Sequence, residues 1–130
     1  PDKDMLYLTL TTPEKKLRHC LIHTLELDPD LHGTVFETLG SEEEKAHGVR
    51  VCDGNFEHEI WFNVTADGRF MHDNSINRIA GFETDAYMLI IRREKQSGKT
   101  RLYAVGCSFL RRDGKVLHGS FSKENFDLTV

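Results

Sequence analysis

The chain has 130 residues, 38% hydrophobic and 29% charged, with a formal net charge of −4. That length suits one domain around one core, no apolar run approaches the ~20 residues of a membrane-spanning helix, and no signal-peptide pattern opens the chain. Cys20, Cys52 and Cys107 are odd in number and lack a C-x-x-C spacing, which argues against a disulfide framework or zinc ribbon and for an intracellular, cytoplasmic or nuclear, setting. The start at Pro1 and the stop at Val130, inside an apparent strand, lead us to expect a fragment of a longer protein. Charge is uneven: 8 basic and 17 acidic side chains up to Ile90 give a balance of −9, and 9 and 4 from Ile91 onward give +5.

In chain order, Leu6, Leu8 and Leu10 alternate with Tyr7 and Thr9 and predict a strand over Met5 to Thr11. Thr12-Pro13-Glu14 is a helix start, with a capping hydroxyl, a proline at the first helical position and an acid near the positive end of the dipole. Leu17, Cys20, Leu21, Thr24 and Leu25 continue at helical spacing, and Asp28-Pro29 stops a helix from about Pro13 to Leu27. A period of two through Leu17, Leu21, Leu25 and Leu27 leaves a strand as the alternative. Thr34, Val35, Phe36 and Thr38 favour a strand, although Leu31 to Leu39 also fits two helical turns. Ser41 to Ala46, with Glu42, Glu43 and Glu44, reads as a solvated connector or an acidic docking patch.

Val49 to Cys52 opens the sheet, and Asp53-Gly54-Asn55 turns it. From Phe56 to Val64 the residues Phe56, His58, Ile60, Phe62 and Val64 alternate with Glu57, Glu59, Trp61 and Asn63, the period of a strand buried on one face. Asp67-Gly68 supplies a two-residue hairpin loop, sending the chain back through Phe70 to His72 with Val64 opposite Met71 and Thr65 opposite Phe70. Trp61 then shares a face with Thr65 and Phe70, away from Ile60 and Phe62. That second face is either covered by the N-terminal helix or partly open as an aromatic binding surface. Ile76 and Ile79 fit a short helix or a twisted strand. Ala86 to Ile91, apolar throughout, predicts a central strand covered on both faces. After the polar tip at Lys95 to Lys99 the chain returns through Leu102 to Phe109, turns at Asp113-Gly114, and ends in two short strands, Val116 to Phe121 and Phe126 to Val130.

The expected class is therefore α+β: a mainly antiparallel sheet of about five to seven strands, in a meander with tight hairpins, packed with one N-terminal helix. An all-β sandwich or barrel is the alternative. The meander from Glu59 through Phe109 is also loosely similar, in strand lengths and turn order, to the pleckstrin-homology and phosphotyrosine-binding superfold. Those folds close with a long C-terminal helix, whereas Lys115 to Val130 reads as strand.

Few groups that look reactive stand together. His19 and His23 would share a helix face as metal ligands do, but Cys20 stands where the hydrolytic zinc motif has its glutamate and no third ligand completes a site. Alternation sends His58 away from Glu57 and Glu59. Those two acids do share a face with Trp61, a pairing that suits sugar chemistry, with solvated acids as the plainer reading. Gly98-Lys99-Thr100 lacks the glycine of a phosphate-binding loop, since Arg93 holds that position. The cysteines have no activating base beside them and read as buried strand residues. Asn63-Val64-Thr65 matches a glycosylation acceptor inside a strand. No metal or cofactor is expected, and a catalytic role is not favoured.

Surface remains. Arg92, Arg93, Lys95, Lys99 and Arg101 surround one hairpin, and Arg111, Arg112 and Lys115 lie at the next turn, at the opposite end of the sheet, with Arg92 and Arg101 able to face each other midway. With Trp61 and Phe70 the first group forms the expected binding set. The leading expectation is a non-catalytic module that binds a protein or peptide by a sheet edge or groove. The alternatives are an enzyme or small-ligand barrel whose site forms only in three dimensions, and a nucleic-acid-binding β domain using the basic hairpins.

Overall fold

The computed structural model describes residues 35–41, 45–63 and 76–130. These form eight strands: β1 (Val35–Gly40), β2 (Ala46–Asp53), β3 (Phe56–Asn63), β4 (Asn77–Ile79), β5 (Phe82–Thr84), β6 (Met88–Glu94), β7 (Thr100–Arg112) and β8 (Lys115–Thr129). All pairings are antiparallel, in the order β1-β2-β3-β6-β7-β5-β4, with β8 on β7. The described residues are thus a curled half-barrel of antiparallel sheet with no helix, as the β-barrel alternative expected and the α+β class did not. The helix over Pro13 to Leu27, the strand over Met5 to Thr11, the glutamate run, the Asp67-Gly68 turn and its return to His72 lie outside the described residues.

The spine is β7. Its first half pairs with β6 and its second half with β5, while β8 follows the opposite edge. Between β5 and β6 the chain bends at Asp85, and that carboxylate bonds the N–H groups of Ser108 and Phe109, both at 2.9 Å, and the Ser108 hydroxyl at 2.6 Å. The bend turns the β4–β5 hairpin toward the end of β3, where the Asn77 amide donates to the Asn63 side chain at 2.9 Å. This hydrogen bond ties the two halves of the curl together.

The hairpin at Ala80-Gly81 has φ of 50° and 83°, and the one at Asp113-Gly114 has 49° and 77°. Both match the twist of their strands in the way two-residue loops with positive φ do. Ile76, on the approach to β4, is exposed, whereas Ile79 is fully buried in a strand rather than a helix. The expected pair of strands after Asp113-Gly114 is one strand of fifteen residues. It stays continuous because register shifts absorb the polar middle: β8 runs from Gly119 to Glu124 while β7 runs only from Phe109 to Cys107. Such extra residues bend a strand without ending it.

The core contains Trp61, Ile79, Phe82, Leu89, Ile91, Leu102, Ala104, Cys107 and Leu110, with Leu39, Phe126 and Leu128 packed against it. As the apolar run predicts, β6 is central, but only Leu89 and Ile91 are fully buried; Met88 and Ile90 are half-buried. In β3 the more deeply buried face is the one that reads as polar: Glu59, Trp61 and Asn63 are buried, while Ile60 and Phe62 are half-buried. Burial of those polar groups is tolerated because each has a partner.

Candidate functional site

On the inner face the charged residues form one network. The Trp61 indole N–H donates to Glu59 at 3.0 Å; Arg50 and Arg93 bond the other oxygen of the same carboxylate at 3.1 and 2.8 Å. Arg93 also bonds Glu57 at 2.7 Å, and Arg50 reaches across to Glu37 of β1 at 2.7 Å. Burial would raise the Glu59 pKa, but the hydrogen bonds from Trp61, Arg93 and Arg50 outweigh it and hold the carboxyl below its usual range. Both oxygens are therefore occupied, which accounts for this acid's 4% exposure. Glu57, Glu59 and Trp61 do share a face, as alternation predicts, but the acids are locked to arginines rather than solvated.

Gly48 lets the network close. It stands opposite Trp61 in the β2–β3 register, and a Cβ there would lie 2.5 Å from the Ile60 carbonyl oxygen and 3.1 Å from the indole. Only a residue without that atom leaves the ring room to cross β2. The charge chain then runs from β6 through β3 and β2 to β1, where it draws the sole charged side chain of β1, Glu37, to the inner face.

Among the described residues β1 ends the sheet, and its one charged side chain, Glu37, is paired with Arg50 although exposed. Its six residues keep an unbroken register with β2 from Val35↔Cys52 to Gly40↔His47, and Val35 and Phe36 are 59% and 41% exposed. Among the described residues nothing pairs with its other edge. Among the described residues the sheet also ends at β4, a strand of only three residues, and at β8, which is interrupted by three register shifts and carries Lys115, Lys123, Glu124 and Asp127. Bulges and charges are how natural sheets blunt an edge; β1 has no bulge.

The residues expected to bind separate into three places. Trp61 is 6% exposed and lines, with Ser41, Lys45, Asn77 and Arg78, a recess of about 590 Å³ at the open end of the half-barrel. Arg93 belongs to the inner network, and Lys95 turns to the backbone carbonyls of Asp53 and Gly54 at 3.4 and 3.2 Å. Arg92, Lys99 and Arg101 come together on the outer face around Phe56. Phe70, and the metal candidates His19 and His23, lie outside the described residues.

Chemistry-bearing groups elsewhere are held in place. Among the described residues no three His, Cys, Asp or Glu side chains stand together as a metal site. Cys107 is fully buried, and burial pushes its thiol up to about 11, so it is a poor nucleophile. Asp85 is likewise saturated; burial would raise its pKa, but the bonds from Ser108, Phe109 and Lys123 win and lower it. Asn63 is 2% exposed with its side chain in the Asn77 bond, leaving no room for a glycan in this fold. Among the described residues no helix is long and apolar enough to cross a membrane.

Sequence reasoning did not find the β1 edge, the Arg50 and Arg93 clamp, or Asp85. The signal for the clamp was the acid pair facing Trp61. Compared with family models, curated proteins and solved structures, the chain finds no match.

Proposed function

We propose that this chain is a non-catalytic interaction module that accepts an extended segment of a partner protein or peptide as an added strand on the outer edge of β1. One observation carries the reading: an unbulged edge strand of six residues with Val35 and Phe36 exposed and its one charged side chain, Glu37, paired with Arg50. Strand addition draws affinity from main-chain hydrogen bonds, and alternate side chains supply specificity. Glu37 supports the role from within. Its carboxylate accepts from Arg50 at 2.7 Å, which ties β1 to β2 by a side-chain contact beside the backbone ladder.

The test is selection of displayed ten-residue peptides against the intact chain, followed by binding to a Val35→Lys, Phe36→Lys double variant. Selected peptides should alternate apolar and polar residues and lose about tenfold or more in affinity to the variant, about 1.4 kcal/mol. Equal binding to both proteins would remove β1 as the site.

A second reading, a small-ligand pocket, is favoured by the recess below Trp61, whose volume of about 590 Å³ lies in the range of ligand pockets. Trp61 is the sole tryptophan, so a ligand entering the recess should change the intrinsic fluorescence. A small-molecule screen with no such change would exclude it.

A further inference from the structure

The outer face carries a charge arrangement that the β1 edge does not use. Arg92 and Arg101 stand directly opposite each other in the β6–β7 register, and like charges so placed destabilise a sheet. Arg101 is answered by Asp127, whose two carboxylate oxygens both lie 2.8 Å from its Nε. No such partner answers Arg92: among the described residues no carboxylate pairs with it, and its guanidinium lies over the Phe56 ring, 3.8 Å from the centroid. Lys99, at the hairpin tip, likewise has no carboxylate partner among the described residues.

These three cations, with Phe56, Glu94 and Thr129, line a cleft of about 200 Å³. Glu94 is the one acid in the lining; one of its oxygens accepts from the Ser97 hydroxyl, and its charge is set against those of the three cations. The geometry points to a second binding site here, for a single oxyanion of the phosphate class such as a phosphomonoester. Arg92 offers a planar fork, Lys99 a mobile point charge, and Arg101 the N–H groups that Asp127 leaves over. The cleft is large enough for a phosphoryl group with a few carbon atoms.

A continuous nucleic-acid track does not fit the remaining charges. Arg50 and Arg93 are held by Glu57 and Glu59, Arg111 and Arg78 by Glu83, and Lys123 by Asp85. A phosphate backbone needs a stripe of free cations; among the described residues Arg92, Lys95 and Lys99 of one hairpin lack a carboxylate partner, and Lys115 lacks one at the far end of the sheet, so no continuous stripe forms. The site is separate from β1 and does not depend on strand addition there.

The test is a ¹H–¹⁵N titration of the intact chain at constant ionic strength with phosphoserine, inorganic phosphate, a phosphoserine-containing decapeptide, acetate and a single-stranded oligonucleotide. Phosphoserine and phosphate should shift the signals of Phe56, Arg92, Lys99, Thr100 and Arg101 saturably, and acetate should not. Arg92→Gln and, separately, Lys99→Gln should each weaken binding about tenfold, the loss of one charge-assisted contact, while Lys115→Gln at the far end of the sheet should change nothing. Within that outcome, a decapeptide that binds tighter than free phosphoserine identifies a phosphorylated partner as the source; equal affinities identify a free phosphomonoester. Three results would overturn the site: no saturable shift, the same shift with acetate, or unchanged affinity in both glutamine variants. Tight oligonucleotide binding that Lys115→Gln weakens equally would replace it with a nucleic-acid surface.

Discussion

Glu59 shows what one buried acid does when three donors converge on it. Removing the carboxylate in Glu59→Ala leaves Arg50 and Arg93 with only Glu57 shared between them and Glu37 on the far side of Arg50. Because both arginines are about a third exposed and keep other acids, the loss should fall below that of a fully buried pair, about 3–5 kcal/mol, and a urea titration should show it as a lower midpoint. Gly48→Ala should be costly too, about 1–3 kcal/mol, because the new methyl would meet backbone at 2.5 Å rather than a side chain that can turn aside. Alternation made Glu59 and Trp61 legible as neighbours on one face. It left open whether that face was buried, because the cations that permit burial come from strands 9 and 34 residues away in the chain.

Turn chemistry decides how much of each element was legible. Asp113-Gly114 is a common positive-φ pair and announced the β7–β8 hairpin, whereas Ala80-Gly81 did not announce β4–β5, because alanine is rarely placed at a φ of 50°. The strain is testable: Ala80→Gly should stabilise the protein by about 0.5–1 kcal/mol, read as a rise in melting temperature. An unchanged or lower midpoint would mean that the Ala80 methyl contributes more by packing than its backbone costs. In β8 the polar stretch Ser122 to Asn125 looked like a break between two strands, Val116 to Phe121 and Phe126 to Val130. It lies in a bulge instead, pinned by the Lys123 ammonium 3.2 Å from Asp85, which carries Phe121 fully into solvent. No local signal in β8 could reveal a partner that lies in the bend between β5 and β6.

Across the whole molecule, the acidic first part and the basic last part of the sequence meet in the sheet, as Arg93 with Glu57 and Glu59 and Arg111 with Glu83 show. The hairpin register made the Arg92 and Arg101 opposition legible, because sequential strands fix it locally. The free edge at β1 was not legible: which strand ends a sheet depends on non-sequential pairings such as β3 with β6. The same pairing of charges sets the response to pH. Glu59 and Asp85 have folded-state pKa values below their ordinary ones, so their contribution is present above about pH 4 and is lost as pH falls through the folded values. Cys107 is raised to about 11, so its contribution is complete below the ordinary thiol value and is lost as pH rises toward 11. Urea unfolding across pH should therefore give a plateau near neutrality that declines on both sides; stability that rose on acidification below pH 4 would contradict the Glu59 and Asp85 assignments.

Amide hydrogen exchange on the intact chain, with and without a β1-selected peptide, tests the proposed role most directly. Strand addition predicts slowed exchange at alternate amides within Val35–Gly40, with Lys115–Thr129 unchanged. Protection confined to β8, or none at either edge, would contradict it.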